Sequence, residues 1–489
     1  MKENQDGLGP SKNTDSAISI SYSAWISLVI ICGLALVTMY GETMVLPAIP
    51  DFIKDFGISY NTSSWILSSY LIAGAVMTPI AGKLSDIYGR KKILLIVMMI
   101  YSAGILAGGF ANSFPFLLSA RIAQGVGISM FPIAFGIVRD IFPIQKLGMA
   151  QGIFTSTFFG GSVIGLIAGA KIISDYGWHA TFFSVFPIAI ILAFIMNKFI
   201  KVRKTEQENF DTTKIDVKGI MALSSTVILF LIGLSFLQDI SSGNLDSFGF
   251  FAGSAVSLII FVSLEKRISY PIIDLKVLSD KVLLPSNIIM MIVGVSTFMV
   301  YQTIPILIRS PKPIGFGGDV ITIATVQLPF MIISLIVSAA GGFFLLKVGN
   351  FNLTAIGTII CAVGFFTILV FHSTESTISV TLAIISVGLS FAIVGGFNII
   401  LMSSPQKVQG ISLGIAVLLM LVGNSLGPSL AGMYQQMHQE TIPNISGSFP
   451  SAQAYNQIFL TATLLSIFSV FLAIILRKKM GAKTNTISG

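Results

Sequence analysis

Two serines stand in Gly-x-Ser-x-Gly settings, Ser412 in GISLG (residues 410–414) and Ser425 in GNSLG (residues 423–427). That pattern presents a nucleophile where a strand turns sharply into a helix. Both copies lie in one apolar helical run, so nucleophilic catalysis is not expected. The three histidines, His179, His372 and His438, are far apart in sequence and near expected loops, which does not make a metal site. No Walker sequence appears, so ATP is not expected to drive this chain. The reading is of a non-enzyme with no cofactor and no metal.

What remains is a pair of charges in apolar surroundings: Glu42 in GETMVLPAIP (residues 41–50) and Arg121 in LLSARIAQGVG (residues 117–127). A carboxyl group so placed can exchange a proton and attract a cation. A guanidinium deep in a membrane span costs several kcal/mol unless it is hydrated or paired, so Arg121 should face the protein interior. It would there tune a nearby acid or contact substrate, or else serve as a fixed hydrogen-bonding post between spans 1, 4 and 5. Further polar residues could line a cavity beside them: Tyr40, Tyr70, Gln124, Tyr301, Gln302, Gln327, Asn398 and Asn424.

The elements that must carry these residues are membrane helices. The chain has 489 residues, of which 54% are hydrophobic and 10% charged, with a mean hydropathy of +0.88. Uncharged runs near twenty residues recur, each able to cross a hydrocarbon core of ~30 Å as a helix. They lack the alternation of barrel strands. Fourteen spans are expected, the seventh and eighth near 219–237 and 248–265. The lipid bilayer is thus the medium of the chain. The net charge of +8 does not point to nucleic acid, because the basic residues lie beside apolar runs. With the N-terminus placed in the cytoplasm, 24 of the 29 Lys and Arg fall on that side. The positive-inside rule then puts both termini in the cytoplasm of a cell-membrane protein.

The halves of the chain echo each other. Gly152, Gly161, Gly165 and Gly169 have the spacing of Gly414, Gly423 and Gly427 followed by Ala431. Gly82 and Gly89 are echoed by Gly342 and Gly349 at nearly the same offset. The expected organisation is a polar tail (1–20), a six-helix half (21–200), a linker with two extra helices (201–282), a second six-helix half (283–476) and a tail (477–489). Duplicated halves around a central path are common in secondary transporters. Small residues at every fourth position allow close helix packing, and Pro428 in the second copy removes a backbone donor and offers a hinge.

The loop GKLSDIYGRKK (residues 82–92) crowds five charges into eleven residues and resembles the signature loop of the major facilitator superfamily. LLSARIAQGVG resembles the second motif of that superfamily. The glycines of span 5 resemble its antiporter motif, with Leu166 where proline is usual; the second half keeps Gly427-Pro428. SYPIIDLKVLSDKV (269–282) and GETMVLPAIP resemble segments of its fourteen-span drug:proton antiporter branch, with Glu42 where an aspartate is usual. The resemblance implies an all-α major facilitator fold, two six-helix halves plus two linker helices. It implies proton-coupled export of small amphipathic or cationic compounds by alternating access, from a protein that works as a monomer. Metabolite uptake or uniport on the same fold is the alternative, and a transport-inactive sensor or scaffold a remote one. In the loop, the resemblance implies a conformational latch. Gly82 would allow close packing, Gly89 would take a left-handed turn, and Asp86 would pair with Arg90 and face span 13.

Overall fold

Backbone groups in lipid must satisfy one another, and a single chain does this most simply by closing on itself as a helix. The computed structural model of the protein describes residues 21–200, 216–236, 246–268, 275–404, 409–443, 445 and 447–485. The first pass is α1 (Tyr22–Thr43) and, after a 3-10 turn, α2 (Ile49–Phe56). The helical path thus continues beyond α1, with Pro47 and Pro50 in first-turn positions that need no backbone donor. A short α3 (Tyr60–Ser63) leads into α4 (Trp65–Tyr88), the second pass, and α5 (Arg90–Gly109) is the third. The fourth pass is α6 (Phe114–Gly125) and α7 (Met130–Ile141), joined by 3-10 residues Val126–Ser129. Two long helices, α8 (Ile144–Tyr176) and α9 (Trp178–Phe199), complete the first six passes.

An inserted hairpin follows, α10 (Val217–Phe236) and α11 (Asp246–Glu265), then a single turn, α12 (Leu275–Leu278). The second six passes are α13 (Leu283–Arg309), α14 (Val320–Val348), α15 (Asn350–Val370), α16 (Glu375–Ser403), α17 (Gln409–Met437) and α18 (Ala452–Asn485). Between the last two lies a small antiparallel pair, β1 (Gln439–Thr441) and β2 (Ser448–Pro450). Among the described residues, thirteen helices are long and apolar enough to cross a membrane, and α10 adds a shorter apolar stretch, Lys218–Leu234. With α10 counted as a pass, Tyr22 at the start of α1 and the C-terminal end of α18 lie on one face, called here the terminal face.

The expected tail 1–20 lies outside the described residues. Most of the expected tail 477–489 is instead helical, because α18 continues to Asn485 through Arg, Lys and Ala, all good helix formers.

The duplication legible in the glycines is a duplication of packing. In the first half α1 packs on α8, α5 on α9, α5 on α6 and α4 on α6; in the second, α13 packs on α17, α15 on α18, α15 on α16 and α14 on α16. The halves then meet along two seams related by the same symmetry, α4 against α17 and α8 against α14.

The repeated glycines make the first of these pairings possible. A methyl group on Gly161 would fall on the Leu36 carbonyl of α1, and one on Gly423 on the Met291 carbonyl of α13. Gly165 and Gly169 press on Tyr40 and Met44, and Gly427 on Val295 and Met299. Gly152 and Gly414 differ, since no atom lies within 4 Å of a side-chain carbon placed there. Their expected packing role is therefore not seen in this conformation. Gly423→Val is accordingly expected to destabilise the protein by about 1–3 kcal/mol through overpacking, while Gly414→Val leaves stability unchanged. Thermal unfolding of the two purified variants in detergent checks this; equal midpoints would contradict it.

Candidate functional site

Arg121 is held on α6 and is fully buried, at 0% exposure. Its Nε donates to the carbonyl of Ile66 on α4 at 3.0 Å, and its Nη1 donates to Gly41 on α1 at 3.3 Å and to Gln124 Oε1 at 2.7 Å. The guanidinium lies 4.4 Å from the centre of the Tyr70 ring, a cation–π contact. Gln124 passes the connection on, donating to Gly104 on α5 at 2.8 Å. The arginine is thus a post between passes 1, 2 and 4, with pass 3 reached through Gln124. The expectation named passes 1, 4 and 5. It missed pass 2 because the α4 partner is a backbone carbonyl, which no residue type announces.

The glycines of the same motif bring the helices close enough for this. A carbon on Gly125 would fall on the Tyr70 carbonyl, and one on Gly127 would fall on the Tyr101 ring. Tyr101 in turn donates its hydroxyl to the Val37 carbonyl of α1 at 2.8 Å, against Gly41. Sequence reasoning did not single out Tyr101 or Gly41.

Glu42 follows Gly41 in the last turn of α1, so the backbone that accepts from Arg121 also carries the acid. Unlike Arg121, Glu42 keeps accessible surface. Its carboxylate is within electrostatic reach of Arg121, of Tyr70 and Tyr101 in its own half, and of Tyr301 on α13 in the other half. Tyr301 stacks with Phe298 at 5.4 Å, meets Phe330 edge-on at 5.3 Å, and donates its hydroxyl to Met331 Sδ at 2.9 Å. The acid is thus within electrostatic reach of an aromatic and thioether cluster in the other half.

The other expected cavity residues divide. Tyr40, Tyr301 and Asn398 are half-buried, and Asn398 spends its amide on the Val394 carbonyl of its own helix. Gln124 does not line a cavity; its hydrogen bonds brace the Arg121 post. Tyr70 is 1% exposed, its ring under the guanidinium, although its hydroxyl has no hydrogen-bond partner. Gln302 and Gln327 are buried, each with an Oε1 lacking a partner. Asn424 is buried beside Gly294 of α13.

The halves are joined toward the face opposite the chain ends. Ser68 of α4 donates to the Ser425 carbonyl of α17 at 2.7 Å and lies 3.2 Å from Ser429 Oγ. Gln302 of α13 donates to Ser63 of α3 at 3.1 Å, and Tyr60 donates to the Ser448 carbonyl of β2 at 3.2 Å. Arg309 of α13 and Asp51 of α2 form an ion pair of 2.7 Å. That pair lies in a cleft of about 370 Å³ shared with Lys54, Asp55 and Asp319. The Asp319 carboxyl is held below the usual range by the backbone N–H and hydroxyl of Thr322, which it caps. The sequence offered one signal for this junction: Arg309 is a cation on the side where cations are scarce.

The charged loop lies on the terminal face. Gly89 has φ +94°, a backbone that side chains rarely adopt, and Gly349 matches it at φ +80°. Gly82 has no atom of a neighbouring element within 4 Å of a side-chain carbon, so the expected close packing at that residue is not seen in this conformation. Arg90 pairs with Asp140 of α7 and donates to the Gly136 carbonyl at 2.8 Å, which ties the loop to its own half. The side chain of Asp86 lies outside the described residues.

Two buried acids went unremarked in the sequence. Asp216 and Glu265, at 8% and 4% exposure, bracket Gly219 where the inserted hairpin begins and ends. Both sit at the margins of apolar runs, where a carboxylate reads as solvated. Ser412 and Ser425 both lie within α17, and no group of three metal-ligating side chains occurs among the described residues.

Comparison with known proteins agrees with this architecture. The family model of the Major Facilitator Superfamily matches residues 31–428. The chain is 28% identical over 408 residues to multidrug resistance protein 3 of Bacillus subtilis, covering 82% of this chain and 77% of that one. It is 25% identical over 420 residues to the tetracenomycin C resistance and export protein of Streptomyces glaucescens, covering 84% and 75%. Among solved structures, the human organic anion transporter MFSD10 superposes with a TM-score of 0.65 at 13% identity, over 92% of this chain and 99% of that one. A fourteen-pass helical chain, duplicated in its packing and matched by the family model over most of its length, belongs to the Major Facilitator Superfamily of membrane transporters and is not an enzyme.

Proposed function

We propose that the protein exports small amphipathic or cationic compounds in exchange for protons, by alternating access between its two halves. One observation carries the reading: Glu42 keeps accessible surface while a fully buried Arg121 and, in the other half, Tyr301 lie within its electrostatic reach. A carboxyl group in that position holds either a proton or a cation, and competition for one site is what exchange requires. The relatives named for multidrug resistance and for tetracenomycin C export support the substrate class. The polar contacts toward the opposite face, with open space at Gly82, Gly152, Gly342 and Gly414, fit a state shut at one face. The excess of basic residues on the terminal face supports a cytoplasmic side for that face, and the reading takes the protein as a monomer in a cell membrane.

Purified protein in vesicles with an imposed pH gradient tests the proposal, with ethidium and tetraphenylphosphonium as probes. The expected result is uphill movement of probe that collapses with the gradient, and proton movement on adding probe without one. Flux indifferent to the gradient would indicate uniport, and no flux of cationic or neutral probes would leave the sensor or scaffold reading. Orientation is read separately by single cysteines at positions 12 and 483 in intact cells. Modification of either by an impermeant thiol reagent would overturn the cytoplasmic placement.

A further inference from the structure

The inserted hairpin treats the two seams unequally. Leu231 and Leu234 of α10 are buried against Ile72 of α4, flanked by Trp65 and Val76 of α4 and by Leu426 and Leu430 of α17. Over this stretch α10 lies along the crease where the halves meet, beside the Ser68–Ser425 contact. Toward the terminal face the partners change. Ala222 of α10 and Phe261 of α11 are buried with Ile415 and Leu418 of α17, joined by Leu275 and Leu278 of α12, and this cluster contains no residue of α4. Among the described apolar clusters, the hairpin meets α17 from Ile415 to Leu430 and α4 between Trp65 and Val76.

On the side of the second half, Glu265 is separated from the start of α13 by a link that includes α12, packed on α17 and α13. In lipid, apolar helix contacts gain little from exclusion of water, because acyl chains are as apolar as leucine. A short patch of Ile, Leu and Val can then part or slide at small cost, while a longer interface reinforced by the connecting turn holds.

We infer that α10–α11 is a rigid attachment of the second half, which closes over the α4–α17 seam when that seam is shut at the opposite face and leaves α4 when it opens. This rests on the alternating-access reading above. The symmetry-related α8–α14 seam has no counterpart among the described hairpin contacts, so the attachment makes the two lateral openings of one transporter inequivalent.

Pulsed electron–electron distance measurements in lipid nanodiscs test it, with Cys32 and Cys361 replaced by serine and spin labels at three exposed positions. Tyr88 on α4, Met221 on α10 and Met402 on α16 are 59%, 64% and 76% exposed. Distributions are compared at pH 5.5 and pH 8, with and without tetraphenylphosphonium. The Tyr88–Met402 distance, from half to half, should show two populations whose weights shift. The Met221–Met402 distance should stay single and narrow, and the Met221–Tyr88 distance should split in step with Tyr88–Met402. A fixed Met221–Tyr88 distance with a split Met221–Met402 distance would assign the hairpin to the first half and overturn the inference while leaving alternating access intact. A Met221 that moves against both halves would also overturn it. A single unvarying Tyr88–Met402 distance would remove the alternating-access reading, and the inference with it.

Discussion

Vesicles containing Glu42→Gln are expected to release no protons when a cationic probe is added, although the variant folds and inserts normally. Glutamine keeps the shape of the side chain and loses its ability to exchange a proton. The substitution also leaves Arg121 as an interior charge with no nearby anion. Opposite charges 4 Å apart interact by about 4 kcal/mol at the effective dielectric of a protein surface, and by less at greater separation. Affinity for a cation should accordingly fall tenfold or more, since each factor of ten corresponds to about 1.4 kcal/mol. Neutral probes lose no such attraction and should still exchange passively. Glu42→Asp restores the charge one methylene short and should recover part of the coupling. Substrate-triggered proton release in Glu42→Gln at the level of the unmodified protein would dismiss Glu42 as the coupling acid. Attention would then pass to Asp216 and Glu265, the other acids buried deeply enough to be candidates.

The fold was legible because membrane helices announce themselves by length and apolarity, and because duplication left its trace in the glycines. Gly161 and Gly423 could be aligned by spacing alone, and the structure shows why the spacing repeats: each lets a neighbouring backbone approach within its own half. The candidate site was legible only where charge contradicts its surroundings, as at Glu42 and Arg121. The contacts of Arg121 were not, because two of its acceptors are the carbonyls of Ile66 and Gly41. The same blindness explains Gln124, whose polarity suggested a cavity wall although it is spent on Arg121 and Gly104. The junction at the opposite face rests on small side chains, Ser63, Ser68 and Ser429, which occur throughout membrane helices and carry no signal of their own. Gly82 was misread for another reason. A motif is recognised without its conformational state, and in this state Gly82 faces open space.

Arg121→Met should be the most damaging of the single substitutions for stability. It removes the donor to Ile66, Gly41 and Gln124 and strands their oxygens in a region that water does not reach. Breaking a buried charged network by deleting one member costs roughly 3–5 kcal/mol, much of it from the partners left behind. Low yield and a lowered unfolding midpoint in detergent are expected. Arg121→Lys keeps the charge, but an ammonium group cannot reproduce the planar fork that meets acceptors on three helices while lying over the Tyr70 ring. It should insert with intermediate stability and transport poorly. These outcomes alone do not separate a structural post from a group that acts on Glu42, because an unfolded transporter moves nothing. The double variant Arg121→Met with Gln124→Leu does separate them. Removing both members of the pair eliminates the stranded glutamine, so part of the lost stability should return. If Arg121 serves only to brace passes 1, 2 and 4, transport should return with stability. If it also sets the charge balance around Glu42, the rescued protein should move cationic probes with altered proton release, because Glu42 then stands without its cation. An Arg121→Met variant that unfolds at the temperature of the unmodified protein would refute the bracing role outright.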